Sequence, residues 1–95
     1  MTKNKNLKLV ICQCFTNRAL CYINLNRFIE ALSDADFVIS KLDDSNVRAY
    51  HRRGISHMRI DNFEDALRDL HKVKELDPAY SNIEKDIREC MSKYD

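Results

Sequence analysis

At 95 residues the chain holds one domain at most, with a modest core and little surplus stability. One glycine, one proline and a third of the residues charged describe a helical chain, not a sheet protein or a disordered tail. No apolar run approaches the roughly 20 residues of a membrane span. Leu7–Ile11 is too short and too mixed for a secretory signal core, so a reducing, cytoplasmic compartment is expected.

The elements follow in chain order. Residues 1–5 are polar and include Asn4, read as an N-cap. A first helix is predicted over Lys5–Asn24, with Leu7, Val10, Ile11, Cys14, Phe15, Ala19, Tyr22 and Ile23 at helical spacing. Asn26 ends it, because asparagine tolerates the left-handed conformation; Asp61 holds the equivalent place later. A second helix over Arg27–Leu42 buries Phe28, Ala31, Leu32, Ala35, Val38 and Leu42. The polar turn Asp43–Asn46 supplies cap residues for a third helix, Asn46–Ile60. A fourth, Asn62–Leu76, presents Phe63, Ala66, Leu67, Leu70 and Val73. Asp77-Pro78 stops it, because the residue before proline avoids helical angles, and Pro78 suits the first position of a fifth helix. That helix, Ala79–Lys93, carries Ile83, Ile87, Cys90 or Met91, and Tyr94 on one stripe. Glu84, Lys85, Arg88 and Glu89 stand opposite.

The chain repeats itself. The stretch Val47–Pro78 is preceded by a weaker copy that pairs Phe15 with Tyr50, Ala19 with Gly54, Tyr22 with His57, Phe28 with Phe63, Ala31 with Ala66 and Val38 with Val73. The offset of 35 residues is close to the ~34-residue helix-turn-helix repeat of tetratricopeptide arrays, and here the sequence resembles that family. The resemblance implies an all-α repeat array, an α-solenoid of about five helices. It would form a single domain, 1–95, with repeat one at 12–45, repeat two at 46–78 and a capping helix at 79–94. The first copy is one residue longer than the second and lacks the proline that Pro78 provides. Arrays usually need at least three repeats, and the N-terminal face has no cap. A further upstream repeat, or self-association through that face, is therefore expected to cover it.

Charge carries the strongest functional signal. Met1–Ile29 holds Lys3, Lys5, Lys8, Arg18 and Arg27 with no carboxylate. Ser45–Ile60 holds Arg48, Arg52, Arg53, Arg59 and two histidines, again with none. In the family the first helix of each repeat lines the groove and the second forms the back. The resemblance therefore implies a basic groove over an acidic back, suited to an acidic peptide or another anion. Arg48 and Arg52 share a helix face, extended by His51, Ile55 and Arg59. On the first helix Gln13, Thr16, Asn17, Leu20 and Asn24 take the matching face, and Leu20, Ile55 and Met58 offer apolar surface beside the charges.

This set resembles the carboxylate clamp of heat-shock co-chaperones, which captures a chaperone C-terminus ending Glu-Glu-Val-Asp. Asn17 in FTNRA matches the family's second-repeat asparagine; Arg48 and Arg52 in VRAYHRRG match its third-repeat lysine and arginine. The first-repeat lysine and asparagine have no counterpart, and Arg48 keeps the lysine's charge but not its point-like geometry.

Other chemistry finds little support. On a helix Cys12 and Cys14 point about 200° apart and cannot share a metal without unwinding it, which leaves a zinc site as a remote alternative. Cys21 and Cys90 complete a set read as small buried thiols. No nucleophile–histidine–acid arrangement and no glycine-rich loop stands out, so no enzyme activity, cofactor or metal is expected. His51-Arg52-Arg53 is too short a basic cluster to favour nucleic acid in a nearly neutral chain. The expected function is protein–protein interaction through an acidic chaperone C-terminus, with a generic repeat scaffold as the alternative.

Overall fold

The computed structural model describes residues 2–94, and only the backbone of residues 2–5. Among these residues five α-helices form two antiparallel hairpins and a closing helix. They are α1 (Thr2–Asn24), α2 (Phe28–Phe37), α3 (Val47–Arg59), α4 (Phe63–Leu76) and α5 (Ile83–Tyr94). A π-helical turn, Val38–Leu42, extends α2. The architecture is the all-α helical array expected from the sequence.

Both hairpin turns are built alike. Asn26 and Asp61 take left-handed φ values of 60° and 66°. Around each, the amides of Asn26 and Arg27 reach the carbonyls of Ile23 and Tyr22, and those of Asp61 and Asn62 reach Met58 and His57. These are Schellman caps, which satisfy the last carbonyls of the first helix as the chain reverses. Asn46 caps α3 by accepting from the Ala49 amide at 2.9 Å. The extra residue of the first copy is taken up in the π turn, where the Asp43 amide reaches back to Val38 at 2.7 Å. Ten α and five π residues there match fourteen α residues in α4.

Small residues set the helix separation. Ala19, Ala31, Ala35, Ala49 and Ala66 are completely buried. A Cβ on Gly54 would sit 3.0 Å from Leu70 Cδ2 and 3.2 Å from Asp69 Cβ. The main core joins Met58, Ala66, Leu70, Val73, Ile83, Ile87 and Cys90, so α5 completes the hydrophobic cluster of the second hairpin. Each large apolar side chain buried there stabilises the fold by about 1.5–3 kcal/mol.

Two polar contacts missing from the sequence reading hold the hairpins. Asp34 and Asp69 are 6% and 4% exposed. Arg18 grips Asp34 through Nε and Nη2 at 2.7 and 2.6 Å; Arg53 grips Asp69 through the same atoms, both at 2.9 Å. The pairs are related by the 35-residue offset. Bidentate geometry makes each a strong charge-assisted contact.

The structure corrects several expectations. α1 begins at Thr2, so Asn4 lies inside it and does not cap it. Its buried line is Cys12, Thr16 and Ala19, while Leu7, Val10 and Cys14 are exposed. The predicted stripe had merged two faces about half a turn apart. Cys12 and Cys90 are buried, and burial pushes both thiols up; Cys14 and Cys21 are exposed. α5 starts at Ile83, not Ala79, and Pro78 lies in the preceding turn. There Asp77 accepts from the Ala79 amide at 3.2 Å and the Tyr80 amide reaches the Asp77 carbonyl. On α5, Cys90 is buried, whereas Met91 and Tyr94 are about half exposed.

Three stability predictions follow from this packing. Gly54→Ala gains helix propensity worth about 1 kcal/mol, but its methyl meets the fully buried Leu70 and an Asp69 locked by Arg53. Overpacking costs about 1–3 kcal/mol and wins, so urea denaturation should place the variant below wild type. Asp69→Asn leaves a half-buried Arg53 with a weaker partner and should destabilise by about 1–3 kcal/mol. Glu64→Gln, at a largely exposed pair, should stay within about 0.5 kcal/mol in the same assay.

Candidate functional site

The face shared by α1 and α3 carries the residues singled out from the sequence. α3 presents Arg48, His51, Arg52 and Ile55 along successive turns. Arg48 is exposed and makes no hydrogen bond or ion pair among the described residues. Arg52 is half-buried, and its Nε donates to the Thr16 carbonyl of α1 at 3.3 Å. Burial pushes its guanidinium down from the usual value, Tyr80 opposes that, and nearby Arg48 adds to it. An arginine remains cationic under such shifts. The result is two arginines on one face, one free in solvent and one anchored.

Thr16 serves this face differently from expectation. It is 1% exposed and its hydroxyl donates to the Gln13 carbonyl at 3.3 Å, so only its backbone oxygen meets Arg52. Asn17 and Leu20 emerge exposed on α1. Ile55 is half-buried against the main core, and Met58 belongs to that core, so neither leaves a free apolar pocket beside the charges. Arg59 is exposed but lies over the Phe28 ring, 6.0 Å from its centroid, which directs it toward α2.

His51 does not stand free. Its Nε2 is 2.8 Å from Asp86 Oδ2, and its ring is 5.0 Å from that of Tyr80. Burial lowers its pKa, and Asp86 only partly restores it. Its Nδ1 lies 3.5 Å from Arg52 Nη1. Tyr80 and Asp86 thus bring α5 and its preceding turn to this face. The sequence pattern of α5 predicts closure alone; nothing in it marks Asp86 apart from the other acids of the helix.

The basic character of the face is smaller than the sequence suggested. Arg18 and Arg53 are bound to Asp34 and Asp69, and Arg53 also meets Asp36 at 3.0 Å. Arg18 lies over Phe15 and Tyr22. The remaining positive charge of α3 toward α1 rests on Arg48 and Arg52. Arg18 and Arg53 recur at the repeat offset, as do their two aspartates, and that was the available signal that they belong to the hairpins.

Residues 47–80 match the tetratricopeptide repeat family. Human sperm-associated antigen 1 is 41% identical over 78 residues, covering 82% of this chain and 8% of that protein. Drosophila melanogaster FK506-binding protein 59 is 33% identical over 90 residues, covering 95% of this chain and 20% of that protein. The chain therefore spans a small part of these relatives. Among solved structures, the first tetratricopeptide domain of Spaghetti (RPAP3) bound to the HSP90 peptide SRMEEVD superposes with a TM-score of 0.82. It is 30% identical and covers 87% of this chain and 65% of its own. The first tetratricopeptide domain of human RPAP3 gives 0.80 at 31% identity, covering 84% and 62%. Repeat match, helical architecture and these likenesses agree: the chain is a tetratricopeptide-repeat domain.

Proposed function

We propose that this domain binds the acidic C-terminal peptide of a heat-shock chaperone, as a co-chaperone or assembly-factor module. The observation that carries the reading is Arg52, anchored to the Thr16 carbonyl next to Asn17, with Arg48, which pairs with none of the described residues, one turn away. Two guanidinium groups in that relation can hold a terminal carboxylate and an adjacent acidic side chain through paired N–H donors, and the Asn17 amide can donate a further bond. The similar RPAP3 domain solved with SRMEEVD supports the same ligand class.

In this reading 12–45 and 46–78 are the two repeats and 79–94 closes the array. Asn17, Arg48 and Arg52 contact the peptide; Leu20 and Ile55 flank it. Thr16 and His51 act by holding Arg52, and Arg59 lies at the margin. The module works by binding and carries no catalysis. Its free thiols suit a reducing, cytoplasmic compartment.

A second reading has its own observation: Leu7, Leu9 and Val10 are each more than half exposed on α1. Apolar surface exposed there suits a scaffold that packs another helical hairpin or a second copy. Sedimentation across a concentration series would reveal self-association.

Calorimetry with SRMEEVD tests the leading reading. The free-acid peptide should bind at least about tenfold more tightly than its C-terminal amide, and Arg52→Ala should erase most of that difference. Arg48→Ala should weaken binding less, because its guanidinium is solvated before the ligand arrives. Equal affinity for acid and amide would rule out carboxylate capture.

A further inference from the structure

Arg52 is held on two sides, and only one hold comes from the repeat hairpins. From α1, the Thr16 carbonyl accepts a hydrogen bond from the Arg52 Nε–H at 3.3 Å. On the other side Nη1 lies 3.5 Å from His51 Nδ1. A guanidinium has donors only, so a bond there requires an unprotonated Nδ1. The imidazole proton must then sit on Nε2, which is 2.8 Å from the carboxylate of Asp86 on α5. Asp86 accepts that proton's bond and thereby selects the tautomer whose lone pair faces Arg52. The His51 and Asp86 side chains are 16% and 17% accessible, and Tyr80 covers the imidazole. Burial disfavours the charged imidazolium, consistent with a neutral ring.

We propose that His51 is a positioning residue for ligand capture: oriented by Asp86, it locks the Arg52 guanidinium so that its remaining N–H groups point at an anionic ligand. Of the five N–H donors of a guanidinium, one goes to Thr16 and one points at His51, with the Tyr80 hydroxyl standing by the group as a further partner. Those left are one on Nη1 and two on Nη2, and N–H groups on these two nitrogens make the planar fork suited to a carboxylate. Holding a long side chain in its bound geometry before the ligand arrives lowers the ordering entropy of binding. The C-terminal helix, remote in sequence from Asn17 and Arg48, becomes part of the binding apparatus. This inference rests on the peptide-binding reading above and adds to it the residues that set the arginine's aim.

A double-mutant cycle on the full chain separates positioning from bulk structure. His51→Phe keeps a ring against Tyr80 but removes the acceptor. In the wild-type background it should weaken the free-acid SRMEEVD peptide about fivefold, the scale of one hydrogen bond, and leave the amidated peptide unchanged. In an Arg52→Ala background it should change affinity less than about twofold, because its partner is gone. Equal losses in both backgrounds, or no loss in the wild type, would overturn the proposal while leaving the peptide reading intact. A wild type that does not prefer the free acid would overturn both. A second measurement needs no variant: long-range proton–nitrogen NMR of the histidine rings should show His51 protonated on Nε2, and protonation on Nδ1 would overturn the assignment.

Discussion

Each hairpin is closed by an arginine of its first helix gripping a buried aspartate of its second. Arg18 and Asp34 do so in one, Arg53 and Asp69 in the other. A carboxylate this enclosed would be costly unpaired, and the bidentate guanidinium makes its burial tolerable. The pair also fixes how the two helices meet, because a bidentate contact tolerates little displacement. The close packing around Gly54 adjoins the same contact: the Asp69 Cβ that a Gly54 side chain would meet at 3.2 Å carries the carboxylate that Arg53 holds.

That interaction decides what is left for recognition. It draws Arg18 and Arg53 into the hairpins, so among the described side chains the basic character of α3 toward α1 narrows to Arg48 and Arg52. Those two differ in kind. Arg48 is solvated and pairs with nothing described, which suits long-range attraction of an anion; Arg52 is anchored, which suits directional hydrogen bonding. α5 contributes twice, through Ile83, Ile87 and Cys90 in the core and through Asp86 behind His51. Core closure and ligand geometry are therefore carried by the same helix.

Much of this was legible in the chain itself. The 35-residue offset between Phe15 and Tyr50, Ala31 and Ala66, or Phe28 and Phe63 displayed the repeat. Asn26 and Asp61 marked both turns, and Asn46 marked the cap of α3, because turn and cap chemistry is local. The common face of Arg48 and Arg52 needed only the helical period. Where the periodicity was blurred, the reading slipped: on α1 it joined Leu7 and Val10 to a face that buries Cys12 and Thr16. Apolar residues surround that helix, and only its neighbours select the buried side.

Local patterns thus determined the helices, their turns and the arginine pair, since each depends on residues within a few turns of one another, and self-similarity at the 35-residue offset determined the repeat. Tertiary structure alone decided which arginines remain available, that Thr16 offers its carbonyl and not its hydroxyl, and that Asp86 stands behind His51. Those outcomes join positions 16 to 36 residues apart. No helical period relates such positions; packing brings them together, and burial selects which charges pair.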